Sequence, residues 1–171
     1  MIAHPTRLVA RLIVCVILAV SVTACSTAPA SRSEAAKGRS GGADVRSTVT
    51  VGERAARIAL DQVGTPYRYG GQSPSTGFDC SGLVHYAYGE AGQVVPRTTK
   101  TLWSGSKRIS ENALEPGDLV FFRVDGKMQH VGLYLGDGRF VHAPSTGRTV
   151  SVESLYSPFY RQALLSGGRL D

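Results

Sequence analysis

One cysteine stands out among the residues that could perform chemistry. The chain of 171 residues contains three cysteines and four histidines. Cys15 and Cys25 belong to the N-terminal segment, so Cys80 is the only cysteine in the remainder of the sequence. Its neighbours Asp79 and Ser81 are polar, whereas an inert cysteine is usually buried among apolar side chains. This setting favours a reactive thiol at a cleft.

The segment that begins at Cys80 is predicted to be a helix. Leu83, Val84 and Ala87 have helical spacing, and Gly92 would end the helix. Unpaired N–H groups at the start of a helix favour negative charge, which predicts a lowered pKa for the Cys80 thiol. The same N–H groups could bind the oxyanion that forms when a thiolate attacks a carbonyl group.

A cysteine nucleophile needs a base, and histidine is the usual one. His85 follows Cys80 by five residues on the predicted helix, which turns it away from the thiol, so we interpret it as a surface residue or a helix contact. His130 and His142 lie on two predicted strands that pair across the Gly-Asp-Gly turn at 136–138. A base and an orienting group on adjacent strands that face a helix start have the layout of a Cys-His triad.

The surrounding pattern predicts an α+β domain. Helical spacing marks 53–63, 80–91 and 97–104 in the first half of the domain. Strand-like alternation in the second half predicts a central hairpin and two outer strands, at 118–124, 130–135, 139–143, 149–152 and 162–165. Helices followed by an antiparallel sheet are typical of the α+β class.

The first 24 residues are predicted to be a lipoprotein export signal. Arg7 and Arg11 precede an apolar run at 12–22, which is shorter than the roughly 20 residues that span a bilayer. Residues 22–25, Val-Thr-Ala-Cys, resemble a bacterial lipobox, which implies a lipid on Cys25. An ordinary secretory signal and an uncleaved anchor are the alternatives.

The mature chain is predicted to be a tether followed by one domain. Residues 25–50 are rich in Ser, Ala, Gly and Thr, which indicates a flexible linker, and the domain is expected at 51–171. Ser26, after the lipobox cysteine, resembles the signal for sorting to the outer membrane, facing the periplasm, in bacteria with two membranes. The net charge of +6 is modest, without a dense basic patch, so we expect no nucleic-acid partner. We expect a monomer.

Six motifs in this order resemble the NlpC family of papain-like cell-wall cysteine peptidases: GTPYRYGG at 64–71, DCSGLV at 79–84, PRTT at 96–99, PGDLVFF at 116–122, HVGLYLG at 130–136 and VHA at 141–143. The resemblance implies that Cys80 is the nucleophile, His130 the base and His142 the group that orients it. It also implies that the Tyr67 hydroxyl lies beside the oxyanion and that Asp79 and Ser81 contact the substrate. For Tyr67 a buried structural aromatic is the alternative, and for Asp79 and Ser81 a helix cap is.

The implied activity is hydrolysis of peptidoglycan stem peptides through a cysteine thioester. The bond cut in this family is a D-glutamyl–diamino acid bond or a cross-link between stems. An amidase or an acyltransferase on the same scaffold is the alternative, and a non-catalytic wall-binding protein is a third reading. The resemblance implies no cofactor and no metal.

Overall fold

The structure is a computed structural model that describes residues 49–171. The predicted signal at 1–24, the lipidation at Cys25 and nearly all of the linker lie outside the described residues. Among the helices that the structure describes, none is long and apolar enough to cross a membrane.

Four α-helices form within the described part of the chain: α1 at Val51–Leu60, α2 at Cys80–Glu90, α3 at Thr99–Ser104 and α4 at Pro158–Ala163. The sequence predicts the first three, with ends that differ by a few residues. Helix α1 begins earlier than expected because Thr50 and Glu53 form a reciprocal capping box at its N-terminus. Helix α4 is not predicted, since six residues are too few to show a helical period.

Six strands form one sheet in the order β3-β8-β4-β5-β6-β7, in which all pairs of neighbours are antiparallel. They are β3 at Lys107–Ile109, β4 at Leu119–Val124, β5 at Lys127–Gly136, β6 at Arg139–His142, β7 at Ser151–Ser154 and β8 at Leu164–Arg169. A separate pair, β1 at Gln72–Ser73 and β2 at Gly77–Phe78, precedes α2. Helices packed on an antiparallel sheet confirm the predicted α+β class.

Strand β4 explains how the two sides of the sheet are covered. Leu119 and Phe121 point into the core formed with α1 and α2, while Val120 and Phe122 point into a second core beneath α4. All four side chains are fully buried. A strand buried on both faces reads as a continuous apolar run, which is what the sequence shows at 119–122.

The position of β8 differs from the prediction of two outer strands. Strand β7 does lie at an edge, but β8 lies inside the sheet between β3 and β4. The strand predicted at 162–165 also starts later and runs further, because Gln162 and Ala163 belong to α4 and the strand continues through Gly167 and Gly168. A Cβ atom at Gly168 would lie 2.7 Å from the Phe121 ring, so the glycine permits close packing there.

Candidate active site

Cys80 is the first residue of α2, as predicted. Asp79 occupies the N-cap position and accepts a hydrogen bond of 2.6 Å from the Gly82 N–H and one of 2.9 Å from the Gly70 N–H. The alternative role for Asp79, a helix cap, is therefore confirmed. The cap ties the start of the helix to the loop that precedes it.

Asp79 and Ser81 also belong to a network with Arg97. The Arg97 guanidinium donates to both carboxylate oxygens of Asp79 at 2.9 Å and to the Ser81 hydroxyl at 3.0 Å. Burial alone would raise the pKa of the Asp79 carboxyl, but the hydrogen bonds from Arg97 and the Gly82 N–H outweigh burial and lower it. Asp79 is therefore a carboxylate at neutral pH.

Gly82 allows the first turn of α2 to approach the 70–71 loop. A Cβ atom at this position would lie 2.0 Å from the Gly71 carbonyl oxygen and 3.0 Å from the Asp79 carboxylate. No side chain fits into that space without moving backbone. Glycine is therefore required at position 82 for steric reasons, because it allows the helix start that carries Cys80 to pack closely against the loop.

The Cys80 thiol is half-buried and lies among polar groups. Its Sγ atom is 3.7 Å from the Thr99 hydroxyl and 3.7 Å from the Gln129 carbonyl oxygen, to which the thiol donates. Burial raises the pKa of the thiol, and the hydrogen bonds from Thr99 and from backbone N–H groups do not compensate. The lowered pKa predicted from the helix start is therefore wrong in direction, because burial outweighs the hydrogen bonds that favour the thiolate and the Asp79 carboxylate adds to the rise.

His130 and His142 come together as the strand register predicts. Leu133 lies opposite Val141, and continuing this register brings His142 next to Gly132, two residues from His130 and on the same face. A Cβ atom at Gly132 would lie 2.7 Å from the Phe140 ring and 3.3 Å from the His142 Cβ. Glycine at this position therefore leaves room for these rings.

The two imidazoles form a direct hydrogen bond. His130 Nε2 lies 2.6 Å from His142 Nδ1, and the rings are nearly perpendicular, at 80°. Burial lowers the pKa of His130 to about 4, and burial together with the charges of His130 and Arg148 lowers that of His142 to about 2. Both rings are therefore neutral at pH 7, and the resting site holds a neutral thiol and a neutral imidazole.

Tyr160 of α4 extends this chain of polar groups. Its hydroxyl lies 3.3 Å from His142 Nε2. Burial raises the pKa of the Tyr160 hydroxyl to about 12, so it stays protonated at neutral pH. If the hydroxyl oxygen accepts from His142 Nε2–H, then His142 Nδ1 accepts from His130 Nε2–H, and His130 Nδ1 keeps a free lone pair.

Tyr67 is fixed next to Cys80 by its backbone. Its N–H donates to the Arg148 carbonyl at 2.8 Å, and Tyr67 forms a parallel bridge with Phe78, two residues before the cysteine. The side chain is half-buried, and burial raises the pKa of its hydroxyl. Tyr67 therefore stays protonated at neutral pH and can donate a hydrogen bond at the site.

Two cavities meet at Cys80. The first, which we call the Arg148 cavity, has a volume of about 310 Å³ and contains both histidines, Tyr160 and Arg148. The second, which we call the Arg97 cavity, has a volume of about 660 Å³ and contains the network of Asp79, Ser81 and Arg97. Tyr67, Cys80 and Gln129 line both. The thiol thus lies where an extended substrate could occupy a cavity on each side.

Comparison with known proteins assigns this domain to a family. The model of the NlpC/P60 family matches residues 64–169, which contain all of the residues predicted for the catalytic and substrate sites. The chain belongs to the NlpC/P60 family. This match confirms the resemblance drawn from the six sequence motifs.

Individual NlpC/P60 relatives support the assignment. The chain is 39% identical over 127 residues to murein DD-endopeptidase MepH of Escherichia coli, covering 69% of this chain and 47% of that protein. It is 40% identical over 129 residues to the bifunctional muramidase/DL-endopeptidase CwlT of Bacillus subtilis, covering 74% and 39%. The chain thus spans less than half of the length of either relative.

Solved NlpC/P60 structures have the same fold. An NLP/P60 family protein of Staphylococcus aureus, described as similar to lipoprotein, superposes with a TM-score of 0.62 and 33% identity. The superposition covers 70% of this chain and 41% of that one. The arrangement of helices and sheet described above is therefore that of an NlpC/P60 domain.

The sequence missed several residues that the fold brings to the site of this NlpC/P60 domain. Tyr160 and Arg148 lie after the last predicted motif, and no local pattern marks them as polar groups of a cavity. Thr99 and Arg97 belong to the PRTT motif, but without coordinates neither has an assigned role. His85 is half-buried, and its Nδ1 lies 2.8 Å from the Val95 carbonyl oxygen, so it contacts the segment after α2.

Proposed function

We propose that this NlpC/P60 chain is a peptidoglycan endopeptidase that hydrolyses amide bonds of stem peptides through a thioester on Cys80. One observation carries the proposal: Cys80 and His130 line the same cavity, and His130 is oriented by a 2.6 Å hydrogen bond to His142. The names of the relatives, a DD-endopeptidase and a DL-endopeptidase, support it. The bond cut is accordingly a D-glutamyl–diamino acid bond or a cross-link.

The first step is attack on the scissile carbonyl. His130 Nδ1 takes the proton of the Cys80 thiol as a bond forms between Sγ and the carbonyl carbon. Because the resting thiol and imidazole are both neutral, this proton moves when the substrate is bound and the new bond forms. His142 orients the base by accepting from His130 Nε2–H, and Tyr160 orients His142 in turn.

The negative charge then develops on the carbonyl oxygen. The Cys80 backbone N–H at the start of α2 and the Tyr67 hydroxyl are the donors that would stabilise this oxyanion. A protonated Tyr67 suits this role, because only a hydroxyl that keeps its proton can donate. Restoring the carbonyl breaks the C–N bond, and His130 returns its proton to the departing amine.

Hydrolysis of the thioester completes the cycle. Water enters the place that the amine has left, and His130 removes one of its protons as the oxygen bonds to the acyl carbon. The C–S bond then breaks, the acid product leaves and the Cys80 sulfur regains a proton. No metal or cofactor is used in this sequence of steps.

The Arg97 cavity is proposed to hold one side of the stem peptide. Asp79, the helix cap, and Ser81 both line this cavity beside the thiol, and the Arg97 guanidinium keeps the Asp79 carboxylate charged. The Asp79 oxygens already accept from the Gly70 and Gly82 N–H groups and from Arg97, so the proposed contact is attraction between this carboxylate and an amino group of the peptide. Asp79 is thus proposed to serve both as a cap and as a substrate contact.

The chain is also proposed to act as a lipoprotein of the cell envelope. Residues 1–24 would direct export, Cys25 would carry the lipid, and 25–50 would connect the anchor to the domain at 51–171. A monomer at the outer membrane, facing the periplasm, is proposed for a cell with two membranes. Radiolabelled palmitate should enter the wild-type protein and not the Cys25→Ala variant, and equal labelling of both would exclude this anchor.

Mass spectrometry of defined muropeptides tests the activity. Incubation with the wild-type protein should yield fragments cut inside the stem peptide, and Cys80→Ala should yield none. Release of the intact stem from the sugar would indicate an amidase, and transfer to an added amine would indicate an acyltransferase. Unchanged muropeptides with wild-type protein would overturn the proposed activity.

A further inference from the structure

The Arg148 cavity has one lining side chain with a full charge at neutral pH. The two histidines stay neutral because of burial, as does the Cys80 thiol, and Tyr67 and Tyr160 keep their protons. Arg148 therefore supplies the only charged side chain among the described residues of the lining, with the Glu153 carboxylate outside the cavity at 3.7 Å. A cation that lines the same cavity as the reacting sulfur attracts an anionic group of the substrate.

The backbone holds Arg148 in a fixed relation to the reaction centre. Its carbonyl accepts the N–H of Tyr67 at 2.8 Å, and its N–H donates to the Ser145 carbonyl at 3.1 Å. The next residues continue this contact, with the Val150 N–H donating to the Thr65 carbonyl at 2.8 Å. These bonds involve only main-chain atoms, so a side-chain substitution at Arg148 leaves them in place.

The guanidinium retains donors for a ligand. Its salt-bridge partner within residues 49–171 is Glu153, with 3.7 Å between Nη2 and Oε1, which exceeds hydrogen-bond distance. Glu153 does not line the cavity. Guanidinium presents a planar fork of N–H groups that fits the two oxygens of a carboxylate.

We propose that Arg148 is a specificity residue that binds a free carboxylate of the substrate adjacent to the scissile amide. The inference rests on the proposed function, and it specifies which stems that activity accepts. A glutamyl residue joined through one carboxyl group keeps its second carboxyl group near the bond, and a diamino acid also keeps one. Where such a carboxyl group is amidated, the Arg148 guanidinium faces a neutral carboxamide, and the attraction between the two groups is weaker.

The expected effect is moderate because Arg148 is 59% exposed. We expect the wild-type protein to prefer a free-acid stem peptide over its amidated form by about tenfold in kcat/KM. This is the effect of one hydrogen bond between charged groups, reduced because the site is exposed to solvent. Most of the difference should be in KM. Arg148→Gln should abolish the preference, so that both forms are cleaved with about equal kcat/KM. Arg148→Lys should retain part of the preference, because it keeps the positive charge.

Arg139 offers a matched control. It is also 59% exposed and has one salt bridge, of 4.0 Å to Asp137, but it does not line the cavity. Arg139→Gln should keep the full preference for the free acid. Loss of the preference in this variant would indicate a general effect of surface charge and would overturn the role of Arg148.

Binding to the inactive Cys80→Ala variant separates this inference from the proposed activity. Calorimetry with the free-acid and amidated forms of one stem peptide should give about a tenfold difference in Kd, which disappears in the Cys80→Ala/Arg148→Gln double variant. Equal affinities for the two forms would overturn the inference even if wild-type protein cleaves both. A clear preference in binding without any cleavage by wild-type protein would instead overturn the proposed function and keep Arg148 as an anion-binding residue.

Discussion

Acid should destabilise this domain through its two buried histidines. The native pKa values are about 4 for His130 and about 2 for His142, whereas a histidine in an unfolded chain has a pKa of about 6.5. Below pH 6.5 the unfolded state therefore binds more protons than the folded state. The stabilisation is complete above pH 6.5 and is lost as the pH falls towards the native values.

The magnitude follows from the number of protons taken up on unfolding. Each histidine that is protonated only in the unfolded state lowers the free energy of unfolding by about 1.4 kcal/mol per pH unit. Between pH 6.5 and 4.5, two such histidines lower the free energy of unfolding by about 5 kcal/mol. This loss is comparable to the total free energy of unfolding of a small domain. The carboxyl group of Asp79, whose pKa is lowered, adds its own loss only at more acidic pH.

Urea unfolding of a soluble form that begins at Ser26 would measure this loss. Trp103 is the single tryptophan and packs edge-on against Phe121 at 5.0 Å between ring centroids, so its fluorescence should report the unfolding of the core. The His142→Gln variant should retain about half of the pH dependence, and Arg139→Gln should retain all of it. A free energy of unfolding that is equal at pH 7 and pH 4.5 would refute the reasoning, as would an unchanged slope in His142→Gln.

Three further predictions concern catalysis. Because His130 accepts the proton and His142 only orients it, His130→Ala should lower kcat more than His142→Ala does, and steady-state rates on one muropeptide should show that order; the reverse order would contradict it. Because burial raises the pKa of the Cys80 thiol, alkylation of the free enzyme by iodoacetamide should still accelerate with pH where an ordinary thiol, with a pKa of about 8.5, has levelled off; a rate that levels off at a lower pH than this would indicate a preformed thiolate. Removing the hydroxyl that holds His142, by Tyr160→Phe, should lower kcat about threefold to tenfold with little change in KM; an equal rate would exclude Tyr160 as a positioning residue.

Several features of the site are determined by local sequence. The small and polar residues around Cys80, the helical spacing that follows them and Asp79 at the N-cap all lie within one short segment. The same holds for the hairpin of β5 and β6, because alternation and a tight turn together define the register that brings His130 and His142 to one face. These features can be predicted from the sequence alone, because each depends on residues that are close together in the chain.

Other features depend on how distant segments pack. Tyr160 is 18 residues from His142 and reaches it only because α4 covers the second face of the sheet. Likewise, β8 fits between β3 and β4 because its glycines allow close packing, although they weaken its sequence pattern. Nothing in the local sequence of either segment specifies the surface it meets.

The protonation state of the Cys80 thiol shows most clearly the difference between what local sequence determines and what packing determines. Sequence alone placed Cys80 at a helix start with a histidine available, and that placement implied a thiolate. Tertiary structure decided the direction of the pKa shift, because packing partly buries the sulfur and the buried histidines carry no charge to stabilise a thiolate. Burial is a property of the whole fold, so the local sequence determined where the cysteine and the histidines lie on their elements, and the packing determined their charges.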